Sequence, residues 1–247
     1  MDRMIYVGMS GAKQAMEQQA AVANNMANVS TPGFRAQINN FRAVPVVGQE
    51  AGTRAMVVAS TPGADLRSGP MTQTGRPLDV AVRGDGWLTV QLPGGGEAYT
   101  RVGNLQVGAE GQLMTMDGRP VAGDAGPLVV PPGAALTVAP DGLVSALGAG
   151  GAATGGAEVG RLKLVNPPGA DLVRGEDGLF RMKPGADPAQ ADPGVRLMTG
   201  ALEGSNVNPV EVMVDMIANA RRFDMQMKTV QTAESCDQQA NKLLSAS

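Results

Sequence analysis

A stripe of apolar residues near the N-terminus, repeating every three or four positions, most constrains what this chain can fold into. Such spacing places the side chains on one face of an α-helix and is typical of helices that pack along a partner helix. The stripe predicts a helix over residues 3–28, with Asp2 as its N-cap and with Thr31, Pro32 and Gly33 ending it. Its members are Ile5, Met9, Ala12, Met16, Gln19, Ala23 and Met26.

A second stripe with the same spacing lies near the C-terminus and predicts a helix over residues 209–244. Asn208 suits the N-cap, Pro209 the first helical position and Glu211 the third. Because chain termini often lie close together, we expect the two helices to pair with each other. The members of the second stripe are Met213, Met216, Ala220, Phe223, Met227 and Val230.

The first helix carries few charges outside its stripe. Between Gln14 and Phe34 the only charged residue is Glu17, and small or amide-bearing residues fill most other positions. A helix that faces solvent normally carries Lys and Glu there. Periodicity alone favours an ordinary intramolecular core. The uncharged flanks and the adaptable methionines favour helices that are also contacted by other molecules.

The middle of the chain has the pattern of an all-β domain. Over residues 76–200, short strand-like runs are separated by turn signals about every 8–12 residues. Asp117–Gly118 and Asp141–Gly142 are typical hairpin turns. Residues 35–75 mix short apolar runs, such as those around Val46 and Val57, with Gly and Pro, and are predicted to be extended with loops. The glycine-rich residues 148–156 are predicted to form a mobile loop tip.

These patterns predict an α+β fold in which the terminal helices form a coiled-coil domain and an all-β domain is inserted between them. The predicted boundaries are a discontinuous helical assembly domain over residues 1–34 and 202–247, an extended linker region over residues 35–75, and a β domain over residues 76–201.

The composition argues against several classes of function. The chain has no histidine, which removes the commonest general base and the commonest zinc ligand, and its single cysteine, Cys236, allows no internal disulfide. A net charge of −3 argues against a nucleic-acid partner. No segment approaches 18 apolar residues, so no membrane span is predicted, and the N-terminus lacks the apolar core of a signal peptide.

The remaining signals for chemistry are weak. Gly148, Gly150 and Ala153 fit a dinucleotide fingerprint only loosely, and no helix pattern follows them. Asp117 and Asp141 precede glycines in turns, where Asp is favoured for backbone reasons. We therefore expect no catalytic residue, no cofactor and no metal site.

Long motifs at both ends resemble the flagellar rod and hook protein family. Residues 9–34, MSGAKQAMEQQAAVANNMANVSTPGF, are similar to the N-terminal signature of that family, and residues 202–228 are similar to its closing helix. Residues 77–88 and 99–113 resemble its β domain. The MDR-x-IY start and the MSGAKQ segment are most similar to proximal rod members. Matching positions of the N-terminal signature are Ala23, Asn24, Asn25, Ala27, Asn28, Thr31, Gly33 and Phe34.

The resemblance implies a structural, non-enzymatic subunit of the proximal rod that polymerises through its terminal helices into a torque-transmitting drive shaft. It implies three kinds of partner: copies of the chain, other proximal and distal rod subunits, and the flagellar type III export apparatus. The implied location is the rod of the basal body in the periplasmic space, reached without a cleaved signal peptide. The candidate assembly residues are Ile5, Met9, Met16, Asn24, Asn25, Met26, Asn28, Phe34, Met213, Met216, Ile217, Phe223 and Met227.

Three alternatives remain open from the sequence. The chain could be a distal rod or hook subunit of the same family. It could be a homodimeric adaptor that uses the same stripes as a simple coiled coil. It could also be a secreted β-domain enzyme or glycan binder, against which the missing histidines and the 3% aromatic content argue.

Overall fold

The two ends of the chain form long helices, and the residues between them form strands. The computed structural model describes residues 2–45, 55–131, 133–147 and 157–245. Contacts divide the chain into a helical unit, Met1–Val29 with Gln37–Asp65 and Val207–Ser247, and a β unit, Ser30–Ala36 with Leu66–Asn206. The predicted β-rich middle between two terminal helices is confirmed.

The helical unit contains α1 (Asp2–Ala27), α2 (Pro209–Ser245), β1 (Gln37–Pro45) and β2 (Ala55–Ala64). α2 begins as predicted, because the side-chain oxygen of Asn208 accepts hydrogen bonds from the backbone N–H groups of Val210 at 3.1 Å and Glu211 at 3.5 Å. Over the described ranges, neither helix combines the length and the hydropathy that crossing a bilayer requires.

Residues 35–75, for which we predicted an extended linker region, contain strands. β1 and β2 form an antiparallel hairpin, in which Gln37 lies opposite Ala64 and a bulge falls between Asn39 and Phe41. The hairpin packs on α1 and so belongs to the helical unit. Of the run that we predicted here, Val46 and Val47 lie outside the described residues, as do residues 148–156.

The β unit contains short antiparallel strands in several small sheets. The strands are β3 (Met71–Gln73), β4 (Val80–Arg83), β5 (Trp87–Gln91), β6 (Glu97–Thr100), β7 (Leu105–Val107), β8 (Leu113–Thr115), β9 (Ala122–Gly123), β10 (Gly126–Pro127), β11 (Ala135–Val138), β12 (Leu143–Leu147), β13 (Ala157–Arg161), β14 (Leu164–Val165), β15 (Leu172–Arg174), β16 (Phe180–Met182), β17 (Arg196–Thr199) and β18 (Ala201–Glu203).

The largest sheet of the β unit has the strand order β14-β5-β6-β16-β15, and β11-β12-β13 form a second sheet. The predicted hairpin turns occur, since Gly118 and Gly142 have φ values of 77° and 85°, in the region that glycine adopts without steric cost. The core is aliphatic, with Leu88, Leu105 and Leu113 almost wholly buried. The core of the β unit is thus filled mainly by aliphatic side chains from many short strands, because the chain contains few aromatic residues.

The backbone of Gly103 lies very close to that of Val80, and a substitution at Gly103 tests this packing within the β unit. Its carbonyl accepts a 2.9 Å hydrogen bond from Val80 N–H, and a Cβ at position 103 would lie 1.6 Å from the Val80 carbonyl oxygen. We predict that Gly103→Ala lowers the free energy of unfolding by more than about 2 kcal/mol, because the two backbone segments must separate. Urea denaturation followed by the fluorescence of Trp87 measures it.

Gly94→Ala is the matched control, since nothing lies within 4 Å of a Cβ at that position. It should change the free energy of unfolding by less than about 0.5 kcal/mol. Equal effects of the two substitutions would contradict the close contact.

Candidate assembly interface

α1 and α2 lie side by side in antiparallel orientation. A Cβ added to Gly8 would lie 2.9 Å from Cγ2 of Val230, and one added to Gly11 would lie 2.9 Å from Cδ of Gln226. For a residue of α1 and a residue of α2 at the same height along the pair, the two residue numbers therefore add up to about 238. The absence of side chains at these glycines lets the two backbones approach closely, which also fixes the level of every other residue of α1 against α2.

The residues buried between the helices form a heptad pattern, which we call the inner seam. On α1 the inner seam consists mostly of small residues, and on α2 it carries larger ones. Its buried or half-buried members on α1 are Ile5, Gly8, Ala12, Ala15, Gln19 and Val22, and those on α2 are Val212, Met216, Asn219, Phe223, Gln226, Val230 and Ala233.

The inner seam differs from the predicted stripes at every second position. Ile5, Ala12 and Gln19 are shared, but Gly8 and Ala15 occupy the places that we predicted for Met9 and Met16. The reason is steric, because glycine and alanine allow the closer approach of α2. On α2, Met216, Phe223 and Val230 are shared, whereas Val212, Asn219 and Gln226 replace Met213, Ala220 and Met227.

The predicted stripe residues that lie outside the inner seam, such as Met9, Met16 and Met213, belong to two exposed stripes, one on each helix. Met9 and Met16 are 57% and 62% exposed, and Met213 and Ile217 are 49% and 56% exposed. The α1 outer stripe consists of Tyr6, Met9, Lys13, Met16, Ala20, Ala23 and Ala27. The α2 outer stripe consists of Val210, Met213, Ile217, Ala220, Asp224 and Met227. Both repeat every three or four positions, so the helix pair presents a second, uncovered set of apolar residues.

Asn25 connects α1 to the hairpin. Its side-chain amide donates a hydrogen bond to the Gln37 carbonyl at 2.9 Å, and its side-chain oxygen accepts one from Gln37 N–H at 2.7 Å. The Asn25 side chain thus pairs with both the backbone C=O and the backbone N–H of Gln37, the first residue of β1, as the backbone of a neighbouring strand would. Asn39 adds a hydrogen bond from its side-chain amide to the Glu17 carbonyl at 3.0 Å.

The other amides of the motif end the first helix. The side-chain amide of Asn28 donates to the Asn24 carbonyl at 2.9 Å, and its backbone N–H lies 3.2 Å from the same oxygen. These bonds satisfy a carbonyl that the last turn of a helix would otherwise leave unpaired. Asn24 itself is exposed, and Met26 is half-buried.

Gly33 and Phe34 belong to the β unit. Gly33 has a φ of 69°, and its N–H donates a 2.7 Å hydrogen bond to the Glu203 carbonyl. A Cβ at position 33 would lie 2.4 Å from the carbonyl carbon of Arg101, so only glycine fits here. The ring of Phe34 is 4.8 Å from the guanidinium carbon of Arg174, and burial lowers the pKa of that guanidinium.

Glu203 joins the two ends of the β unit through a buried ion cluster. One carboxylate oxygen lies 2.7 Å from Nη2 of Arg35 and accepts a 2.9 Å hydrogen bond from Gly69 N–H, and the other accepts a 3.1 Å bond from Nη1 of Arg101. The three charged side chains are 0–2% exposed. Burial lowers the pKa of Arg101, while the charge of Glu203 opposes that shift.

Trp87 lies against this cluster, 5.3 Å from the guanidinium carbon of Arg101 and 5.9 Å from that of Arg35. Arg101 also donates to the Gly84 carbonyl at 2.7 Å. Sequence reasoning matched Glu203 to a family motif but missed both arginines. Arg35 directly follows Gly33–Phe34, and Arg101 directly follows Tyr99–Thr100. Both pairs belong to the motifs that resemble the family, and this position beside a motif was the available signal.

The candidate residues therefore divide into three groups. Ile5, Met26, Met216 and Phe223 are half-buried within the helical unit, and Asn25 and Asn28 hold the end of α1 and the hairpin. Phe34 lies in the β unit. The exposed candidates, which contact little of their own chain, are Met9, Met16, Asn24, Met213, Ile217 and Met227.

Three family models match this chain. "Flagella basal body rod protein" matches residues 5–35, "Flagellar hook protein FlgE/F/G D1 domain" matches residues 81–146, and "Flagellar basal body rod FlgEFG protein C-terminal" matches residues 198–243. The matched segments contain most of α1, part of the β unit and most of α2.

Curated relatives match over the full length. The flagellar basal-body rod proteins FlgF of Salmonella typhimurium and Escherichia coli are each 54% identical over 252 residues, covering 100% of both chains. The flagellar basal-body rod protein FlgG of Bacillus subtilis is 32% identical over 254 residues, covering 94% of this chain and 95% of the relative.

The chain therefore belongs to the flagellar basal-body rod protein family, which confirms the resemblance seen in its sequence. Within that family it is most like FlgF, and it is a structural subunit of the flagellar rod rather than an enzyme.

The contact between Gly8 and Val230 gives a test of the inner seam. Gly→Ala in a helix normally stabilises by roughly 0.5–1 kcal/mol. We predict that Gly8→Ala instead destabilises by about 1 kcal/mol, because the new methyl group meets the stiff Val230 side chain. In a Val230→Ala background the same substitution should become stabilising. Thermal unfolding followed by circular dichroism at 222 nm measures both.

Gly11→Ala is the control for this cycle, since its Cβ would meet only the end of the flexible Gln226 side chain. It should stabilise the helix. A destabilisation by Gly8→Ala that persists unchanged in the Val230→Ala background would rule out the contact.

The Glu203 cluster predicts a large loss of stability when its carboxylate is neutralised. Glu203→Gln leaves two buried guanidinium groups without a counter-charge, and should lower the free energy of unfolding by about 3–5 kcal/mol. Glu97→Gln is the control, because the pair that Glu97 makes with Lys163 is partly exposed, and should cost about 1 kcal/mol or less. Urea denaturation followed by Trp87 fluorescence compares them, and equal losses would be inconsistent with a buried cluster.

Proposed function

We propose that this chain builds the proximal part of the flagellar rod by polymerising through its terminal helices, which form a coiled coil with those of neighbouring subunits. The observation that carries the proposal is the uncovered pair of outer stripes. Large apolar residues such as Met9, Met16 and Ile217 are about half exposed or more. Leaving such a stripe in water costs free energy that burial against a neighbour would recover.

The proximal position is supported by the comparisons with relatives. The identity is 54% over the full length to FlgF proteins of two bacteria, and 32% over 94% of the chain to a FlgG protein. The FlgF relatives are also aligned over their entire length, so no segment of the chain stands outside the similarity. A distal rod or hook subunit is the alternative within the same family.

Transmitting torque requires a stiff connection and no reactive chemistry. In this chain the inner seam packs α1 on α2, and Asn25 and Asn39 bond α1 to the hairpin at 2.7–3.0 Å. Within the β unit, Glu203 holds residues 33–35, 69 and 101 together. We infer that these connections let each subunit pass a load from one neighbour to the next without local unfolding.

The proposed partners are copies of this chain, the other proximal and distal rod subunits, and the flagellar export apparatus. The proposed location is the rod in the periplasmic space, reached through the type III pathway without cleavage. The candidate interface residues within this proposal are those of the two outer stripes together with Asn24.

Deletion and complementation test the proposal. We predict that a strain lacking this chain does not swim and accumulates basal bodies with incomplete rods, and that the intact chain restores both. Met16→Lys combined with Met213→Lys should fail to restore swimming, because two charges would then be buried between subunits. Swimming in soft agar and electron microscopy of basal bodies are the measurements.

Met116→Lys is the matched control, an equally exposed methionine of the β unit outside the outer stripes. It should restore swimming. Normal swimming of the deletion strain would refute the proposed function, and full activity of the double lysine variant would refute the role of the outer stripes.

A further inference from the structure

The inner seam contains one layer that is polar on both helices. Residues of α1 and α2 at the same height have numbers that add up to about 238, so the inner seam is a stack of facing pairs. Gln19 faces Asn219 in this stack. The layers on either side are apolar and consist of Ala15 with Phe223 and of Val22 with Met216.

Each amide of this polar layer has one buried atom without a partner. Asn219 is 2% exposed, and within the described residues its Nδ2 has no hydrogen-bond acceptor. The Oε1 atom of Gln19 is also shielded from solvent and has no donor in that part of the chain. Burying a polar group without a hydrogen bond costs free energy, so such groups are rare in folded proteins. One helix thus offers an unused donor at the height where the other offers an unused acceptor.

Arg222 indicates which end of the Asn219 amide is free. Its Nη1 lies 3.5 Å from Oδ1 of Asn219, so the oxygen of this amide already has a donor and the nitrogen is left for another partner. Gln19 is half-buried, and its side chain has several rotatable bonds. A change of its rotamer can therefore bring the Gln19 oxygen toward the Asn219 nitrogen.

We propose that Gln19 and Asn219 share a hydrogen bond across the inner seam, with Nδ2 of Asn219 donating to Oε1 of Gln19, and that this bond selects the face of α2 that packs on α1. A polar pair inside an apolar seam adds little net stability, but it penalises every packing that separates its members. The inference concerns the fold of one chain, so it goes beyond the assembly role proposed above and does not rest on it.

The apolar residues of α2 do not explain the choice of face. The inner seam and the α2 outer stripe have the same heptad spacing, and at two positions the outer stripe carries Ala220 and Met227 where the inner seam carries the amides Asn219 and Gln226. A rotation of α2 that turned its outer stripe toward α1 would bring Ala220 to face Gln19, whose buried oxygen would then lack a donor. Neither outer stripe contains an amide, so only the inner seam satisfies Gln19.

Removal of each amide tests the hydrogen bond. Gln19→Leu leaves the Asn219 nitrogen without an acceptor, so the midpoint temperature of unfolding should fall by about 5 °C, and Asn219→Leu should cause a similar fall. The two substitutions together remove both polar groups, so the double variant should regain most of the lost midpoint temperature. Thermal unfolding of the full-length chain, followed by circular dichroism at 222 nm, measures all three variants.

The opposite result would overturn the proposal. If the two amides did not interact, each single substitution would remove an unpaired polar group from an apolar layer and raise the midpoint temperature, and the two effects would add. Gln14→Leu is the matched control, since it removes an amide of α1 outside the inner seam. Its effect should add to that of Asn219→Leu without any recovery. Sedimentation velocity checks that every variant has the mass of the parent chain.

An exchange of neighbouring residues on α2 tests the choice of face. Asn219→Ala combined with Ala220→Asn keeps the composition of the helix and moves the amide into the outer stripe, away from Gln19. This variant should lose about as much midpoint temperature as Asn219→Leu. Unchanged stability would overturn the role of position 219 in choosing the face. None of these outcomes bears on the rod function, which the deletion strain tests separately.

Discussion

The close approach of α1 and α2 determines most of what the helical unit can do. It depends on small residues, among them Gly8 and Gly11, which allow Val230 and Gln226 to lie near the backbone of α1. Because the contact is narrow, it covers only one stripe of each helix. The larger side chains of α1, Met9 and Met16, remain outside it and are more than half exposed.

Hydrogen-bonding side chains connect segments that the apolar contacts do not. Asn25 supplies one donor and one acceptor to Gln37, which fixes the start of the hairpin on α1. In the β unit, the Glu203 carboxylate holds two arginines and a backbone N–H from three other segments. A buried charge cluster contributes little net stability, but it penalises any arrangement that leaves one member unpaired. Such groups favour a unique packing in a unit whose core consists of small aliphatic residues.

A subunit of a rotating shaft must resist deformation and must bind its neighbours in a defined register. Small residues in the inner seam and fixed hairpin contacts serve the first requirement, because they leave few alternative packings. For the second, the proposed contacts are the outer stripes, whose apolar side chains repeat every three or four residues and are exposed. Both requirements are met by packing and hydrogen bonds, consistent with a family of structural proteins.

The sequence by itself determined the two helices, the N-cap at Asn208, the Asp-Gly turns and the α+β class, because local periodicity and turn chemistry decide these features. It could not tell which face of each helix the chain itself would cover, since Ile5-Gly8-Ala12 and Ile5-Met9-Ala12 have equally good heptad spacing. The Arg35–Glu203–Arg101 cluster was out of reach, since its members lie far apart along the chain. The pairing of β1 with β2 was missed because Asn, Gly and Pro interrupt the alternation of apolar and polar residues that predicts a strand. Only the tertiary structure decided them, because burial depends on which distant segment comes close, and a residue's neighbours in sequence carry little information about that.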